Sequence, residues 1–239
     1  MSYPYFFINP EFIDGQEAVL GGDDCRHLKK VLRASVGTRV GFSDNAGCRY
    51  LARVAAIRDK HMVLSVTSRY PVEKEIPRVL LFQCILKKNA MELLIQKACE
   101  IGAEAIVPVY SRRVVAGKGK LKTARWQKIA RQACMQSKRN FLTEIRDPVD
   151  ISGIKPGQFD FFLLPYEQEG SWLKFNIGPE IKKLACLIGP EGGFEEQEVD
   201  MLKKQGARVL NFGKNILRAE TAALYMLSVI DYLAKNETE

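Results

Sequence analysis

Histidine is scarce in this 239-residue chain, with only His27 and His61, and the six cysteines (Cys25, Cys48, Cys84, Cys99, Cys134 and Cys186) form no CxxC pair. A zinc site therefore lacks its usual ligand spacing, and scattered thiols read as reduced structural residues rather than a disulfide framework. No uninterrupted apolar run approaches the roughly 20 residues of a membrane span. The opening stretch MSYPYFFINPEFIDG holds neither a basic nor a long apolar region. The expectation is a cytosolic protein with no membrane segment and no metal.

Acidic residues are missing from one long interval. Between Glu104 and Glu144 there is none, while Arg112, Arg113, Lys118, Lys120, Lys122, Arg125, Lys128, Arg131, Lys138 and Arg139 all fall there. Residues 74–146 carry 16 Lys+Arg against 5 Asp+Glu, a net of +11, whereas the segments before and after carry +2 and −5. Interspersed signs suffice for solubility, so a field of one sign points to a polyanionic partner.

What is present, 46% hydrophobic and 27% charged residues, suits one good core or a large and a small one. Residues 1–73 read as short strands between turns, YFFI, TRVGFSD, CRYLARVAAIRD and HMVLSVTSRY, and predict a small β barrel or sandwich. One helix, DDCRHLKKVLRA, interrupts them. It is expected to bury Leu28, Val31 and Leu32 and to leave His27, Lys29, Lys30 and Arg33 outside. Pro71 and Pro77 bracket a linker, and from residue 78 strands and helices alternate. RVLLFQCIL, AEAIVPVYS, FDFFLLPYE, LACLIG and RVLNFG are the strands of an α/β parallel sheet covered on both faces. The final helix is expected to bury Leu224, Leu227, Ile230 and Leu233.

In such sheets ligands collect where the loops leave the carboxyl ends of the strands. Three loops qualify: LLPYE at 163–167, IGPEGGFE at 188–195 and FGKNILRAET at 212–221. The glycine loop has neither the Lys-Ser/Thr ending of a polyphosphate cradle nor the GxGxxG of a dinucleotide fold. Glu191 within it would repel phosphate. It suits a ligand offering hydroxyls or positive charge, such as a nucleoside ribose or a sulfonium. Each loop also has a plainer reading, as a turn with positive-φ glycines or as a helix start.

LIGPEGGFEEQEV together with FGKNILRAETAAL resembles the two C-terminal motifs of the ribosomal small subunit methyltransferase E family, uridine-N3 methyltransferases of 16S rRNA within the SPOUT superfamily. HLKKVLR with Gly37, QKACEIGAEAIVPVYSRR and WQKIARQACMQSKR extend the resemblance along most of the chain. The sequence departs from the family's common residues at Asn215, Ala219, Lys138 and Thr143. The resemblance implies a PUA-like RNA-binding β-barrel domain over 1–73 and a SPOUT methyltransferase domain over 74–239, with a deep trefoil knot at roughly 160–225. It further implies S-adenosylmethionine as cofactor and a homodimer acting on 16S rRNA or the small ribosomal subunit.

Carried over by motif, the cofactor contacts would be Leu163, Leu164 and Pro165, then Gly189, Glu191 and Gly193, then Phe212, Gly213, Ile216, Leu217 and Ala219. Arg218 would stabilise developing negative charge and Glu220 would serve as base. Lys29, Lys30, Arg33, Lys87, Lys88, Arg112, Arg113, Arg131 and Arg139 would grip RNA. Two other readings compete. A non-catalytic ribosome-assembly factor would keep the basic segment without a cofactor loop, and a nucleotide-dependent enzyme of ordinary α/β topology should carry a phosphate motif.

Overall fold

A computed structural model describes residues 3–114, 121–168, 170 and 175–236. Lys118, Lys120 and Trp172 lie outside the described residues, as does the side chain of Lys88. The chain divides into two units, Met1–Lys74 with Cys134–Leu142, and Glu75–Ala133 with Thr143–Glu239.

The first unit is a six-stranded sheet. Its strands are β1 (Tyr5–Phe7), β2 (Ile13–Asp14), β3 (Glu17–Gly21), β4 (Arg39–Ser43), β5 (Cys48–Ile57) and β6 (His61–Pro71), paired in the order β1-β4-β5-β6-β3-β2. Alternation puts Val40 and Phe42, Tyr50, Ala52 and Val54, and Met62 and Leu64 into one core with Phe6 and Leu20. Helix α1 (Gly22–Lys30) adds Cys25 and Leu28 to that core. The returning segment joins through Met135, which packs on the core, and through two hydrogen bonds: Ser43 Oγ donates to the Asn140 carbonyl (2.6 Å), and Leu142 N–H to Asn45 Oδ1 (2.8 Å).

Here the structure corrects the expected helix. It stops at Lys30, and Arg33 takes the left-handed region at φ 50°. Val31 and Leu32 are therefore exposed, not buried. The turn closes on the helix's own carbonyls, Leu32 N–H to His27 O (3.1 Å) and Ala34 N–H to Leu28 O (3.1 Å).

The second unit holds β7 (Arg78–Cys84), β8 (Ala105–Tyr110), β9 (Glu144–Ile145), β10 (Val149–Asp150), β11 (Phe161–Pro165), β12 (Lys183–Ile188) and β13 (Arg208–Leu210). Every pairing is parallel. The order runs β10-β8-β7-β12-β11-β13, with β9 also on β8. Helices α2 (Lys88–Ile101), α3 (Thr123–Gln136) up to Ala133, α4 (Glu196–Lys204) and α5 (Ala219–Asn236) complete it. Because both faces are covered, the inner strands read as continuous apolar runs. One face packs Phe82, Val107, Phe162, Leu164 and Leu187 against Val199 and Leu202 of α4. On α5 the fully buried residues are Ala223, Met226, Leu227 and Ile230, while Leu224 and Leu233 are only half-buried.

No disulfide joins any of the six cysteines, and burial pushes the Cys84 and Cys186 thiols up to about 12. Among the described residues no group of three or more His, Cys, Asp or Glu is placed to hold a metal ion, and no helix is long and apolar enough to cross a membrane.

Candidate active site

Since β7, β11, β12 and β13 run parallel, their carboxyl ends and the loops that follow meet along one edge. They enclose a cleft of about 1160 Å³. Small-molecule sites commonly span roughly 300–1,000 Å³, so this cleft has room for a cofactor and part of a second molecule.

Pro165, Gly189, Glu191, Gly193, Phe212, Gly213, Ile216, Leu217 and Ala219, all named from the sequence, line the cleft, as do Arg218 and Glu220. Leu163 and Leu164 do not. Both lie inside β11 at 0% exposure, and the chain first reaches the cleft at Pro165. Tyr166, Glu167, Ile188 and Phe194, inside the loops named from the sequence but not singled out there, also line it, as do Asn89 and Asn211, which sequence reasoning missed.

The glycine loop has tight steric demands. A Cβ on Gly189 would stand 3.0 Å from the Phe194 ring, whose 5% exposure leaves it little freedom to yield, and Gly193 sits at φ 69°. Side chains at either place would strain the turn or fill the cleft. The Asn211 side chain then joins two loops, donating from Nδ2 to the Glu167 carbonyl (3.0 Å) and accepting from Gly213 N–H (2.7 Å). That second bond is a local Asx turn, a signal the sequence did carry in its Asn-Phe-Gly. Burial raises the Tyr166 hydroxyl, with Glu196 and Glu167 adding to the effect, and that hydroxyl donates to Gln168 Oε1 (3.0 Å).

Glu191 has a structural partner. Its Oε1 accepts from the backbone N–H of Lys87 (3.1 Å), the residue capping α2, across 104 positions of sequence. A carboxylate there satisfies an orphan donor and complements the positive end of the helix. The same group faces the cleft.

Behind the loop stands a polar clamp. Glu198, 5% exposed, accepts from Arg112 N–H through Oε1 (2.9 Å) and from Glu195 N–H through Oε2 (2.9 Å), the latter as half of a capping box on α4. Arg112 Nη1 donates to Glu195 (2.8 Å) and Gln197 (2.9 Å), and Arg113 Nη1 to the Gly192 carbonyl (3.1 Å). Both arginines, expected on the RNA path, thus brace the glycine loop, with side chains still 60% and 52% exposed. Of the other basic residues, Lys29, Lys30 and Arg33 lie exposed at the end of α1, and Lys87 is exposed at the cleft. Arg131 and Arg139 are half-buried.

The fold and cleft are those of an RNA methyltransferase that carries a PUA domain. A profile described as an RNA methyltransferase domain matches residues 73–231, and one described as an RNA methyltransferase PUA domain matches residues 20–67. The chain belongs to the ribosomal RNA small subunit methyltransferase E family. The Bacillus subtilis protein of that name is 30% identical over 225 residues, 88% of each chain, and that of Mesomycoplasma hyopneumoniae 35% identical over 63% of this chain and 68% of its own. Among solved structures, a ribosomal RNA small subunit methyltransferase E from Neisseria gonorrhoeae bound to S-adenosyl methionine aligns with a TM-score of 0.87 at 27% identity, covering 97% of this chain and 98% of its own. A Legionella pneumophila protein described as a methyltransferase, in complex with the bound cofactor SAM, aligns equally well at 28% identity.

Proposed function

We propose that this chain methylates N3 of a uridine in the 16S rRNA of the small ribosomal subunit, using S-adenosylmethionine held in the cleft. The observation that carries the reading is the chemistry of the cleft wall. Gly189 and Gly193 let backbone approach a ligand closely, Ile188, Phe212 and Leu217 offer apolar surface for a base, and the wall carries both signs, Glu191, Glu167 and Glu220 with Lys87, Lys214 and Arg218, as a ligand with a cationic centre, a carboxylate and a polyanionic RNA beside it would require. A non-catalytic assembly factor would have no use for such a cleft, and a phosphate-binding enzyme would carry a phosphate motif in its glycine loop, which IGPEGGFE lacks.

Bound there, S-adenosylmethionine supplies a methyl group already activated by its sulfonium. The residues around it have three tasks: to orient, to take up charge and to remove a proton. Arg218 stands immediately before α5, where its carbonyl accepts from Ala222 N–H (2.8 Å) and fixes its backbone at the cleft rim. From there its guanidinium stabilises the negative charge that develops on a uracil carbonyl oxygen as N3 loses its proton. Glu220, in the first turn of the same helix, accepts that proton. The basic interval of residues 105–143 and the exposed end of α1 hold the RNA backbone.

The same reading includes a trefoil knot over roughly 160–225, a cytoplasmic location and a homodimer. The sheet order supports the first, since β12 enters between β7 and β11 before the chain recrosses to β13. Exposed Leu93 on α2 with Tyr225 and Tyr232 on α5, two helices packed together, support the pairing of copies. Sedimentation returning a monomer would reject that pairing.

Glu191→Gln tests the charge argument. The amide keeps an oxygen for Lys87 N–H but loses the negative charge, so the melting temperature should hold. Calorimetry should show S-adenosylmethionine weakened by about three- to tenfold, and the uncharged thioether product S-adenosylhomocysteine hardly affected. Equal weakening of both would mean that Glu191 shapes the loop and does not read the cation.

A further inference from the structure

The amino ends of the parallel strands, opposite the cofactor cleft, hold a second cavity. It encloses about 500 Å³ and is lined by Arg78, Leu80, Arg146, Gln158, Phe159 and Lys183. Strand β12 connects the two places: Lys183 at its start lines this cavity, and Ile188 at its end lines the cleft. At about 3.3 Å per residue they stand roughly 17 Å apart. Three of the lining residues are cations and none is an acid, although residues 147–239, which supply Lys183, carry a net −5.

These charges are placed against local preference. Lys183 and Arg78 are register partners on β12 and β7, so two like charges stand side by side on neighbouring strands. The backbone fixes them there. Asp160 Oδ2 accepts from Lys182 N–H and Lys183 N–H (2.8 Å each), and the Lys182 carbonyl accepts from Arg78 N–H (2.8 Å). Acids hold the two guanidinium groups without using them up. Glu104 takes Nε (2.7 Å) and Nη2 (2.6 Å) of Arg78, and Glu144 takes Nε of Arg146 (2.9 Å). Among the described residues, Arg78 Nη1 and both Nη groups of Arg146 remain available as donors. Spare guanidinium donors beside an exposed ammonium select a phosphate.

The remaining lining suits something attached to that phosphate. Phe159 is half-buried, and its ring is held by Phe82 (centroids 5.8 Å, 86° between planes) and Phe162 (5.8 Å, 54°). With Leu80 it offers a fixed apolar wall for a base, and the Gln158 amide has both a donor and an acceptor for a base edge. The volume falls within the roughly 300–1,000 Å³ of small-molecule sites, most of which a bare phosphate would leave unfilled.

We propose that this cavity binds a free nucleotide, with its phosphates on Arg78, Arg146 and Lys183 and its base against Phe159 and Gln158. The site is separate from the cofactor cleft, and the proposal does not rest on the methyltransferase reading. An RNA backbone shares the phosphate chemistry, but a concave site with space for about one nucleotide favours the free form.

The test is calorimetry on the full chain, saturated with S-adenosylhomocysteine so that an adenosine-bearing probe cannot enter the cleft. The probes are ADP, adenosine and inorganic phosphate. ADP should bind, and adenosine and phosphate should each bind at least about tenfold more weakly. Lys183→Ala and Arg146→Ala should each weaken ADP by about three- to tenfold, with S-adenosylhomocysteine affinity unchanged and the melting temperature within about 2 °C of wild type. Arg78 is left in place, because its removal would strand the largely buried Glu104. ADP that fails to bind, binds no better than phosphate, or binds both variants as well as wild type overturns the proposal. So does a short single-stranded RNA that displaces ADP when equimolar with it, which would assign the cavity to an RNA backbone.

Discussion

Arg218→Ala should lower single-turnover methyl transfer by about 10²–10³-fold, the usual cost of removing one charge-stabilising donor from a preorganised site, while S-adenosylmethionine affinity stays within about twofold of wild type. The split follows from where the charge appears. The uracil bears no negative charge before N3 loses its proton, so the guanidinium acts on the transition state far more than on the bound cofactor. Its neighbour gives an internal control. If Glu220 takes the proton, Glu220→Gln should slow transfer near neutral pH and recover with rising pH as hydroxide replaces the carboxylate. A Glu220→Gln rate near wild type across pH would leave Glu220 only the helix-dipole role that any acid in the first turn of α5 fills. An Arg218→Ala variant that transfers methyl at the wild-type rate would remove Arg218 from the chemistry.

The second large effect is expected far from the cofactor. Glu198→Ala removes the buried carboxylate that accepts from two part-buried backbone donors, Arg112 N–H and Glu195 N–H. An unsatisfied buried group costs about 1–3 kcal/mol, and in a chain of this size each kcal/mol lowers the melting temperature by about 2–4 °C. The consequence extends to binding, because Glu195 precedes α4 and Arg112 reaches Glu195 and Gln197. With the clamp open, the loop carrying Gly189 and Gly193 must be ordered by the ligand itself, and cofactor affinity should fall by about tenfold. Glu198→Gln keeps the shape and one acceptor and should lose less of both. A Glu198→Ala protein that melts and binds as wild type would show that the clamp has no bearing on the cleft.

Much of the site was legible because its chemistry is local in sequence. IGPEGGFE and NILRAET each bring their residues within a few positions of one another, and strand periodicity puts their loops at one sheet edge. The clamp was not legible. Arg112 and Glu198 are 86 positions apart, and Glu191 and Lys87 104, so only the parallel order β8-β7-β12 brings them together. For the same reason Arg112 and Arg113 read as RNA ligands from charge alone, although their guanidinium groups also brace the glycine loop. Leu163 and Leu164 mark the opposite limit. A motif assigns them to a cofactor, but a central strand with both faces covered leaves their side chains no route to the cleft. The early stop of α1 defied its amphipathic pattern because the spacing of Leu28, Val31 and Leu32 is helical whether or not the helix continues.

The most direct test is nucleoside analysis of 16S rRNA. Small ribosomal subunits lacking the modification would be incubated with the purified protein and S-adenosylmethionine, and the RNA digested to nucleosides and resolved by mass spectrometry. The expected product is 3-methyluridine, one per rRNA molecule, formed about 10²–10³-fold more slowly with Arg218→Ala. Methyl groups on another atom or another base, or no RNA methylation by a protein that binds the cofactor, would contradict the account.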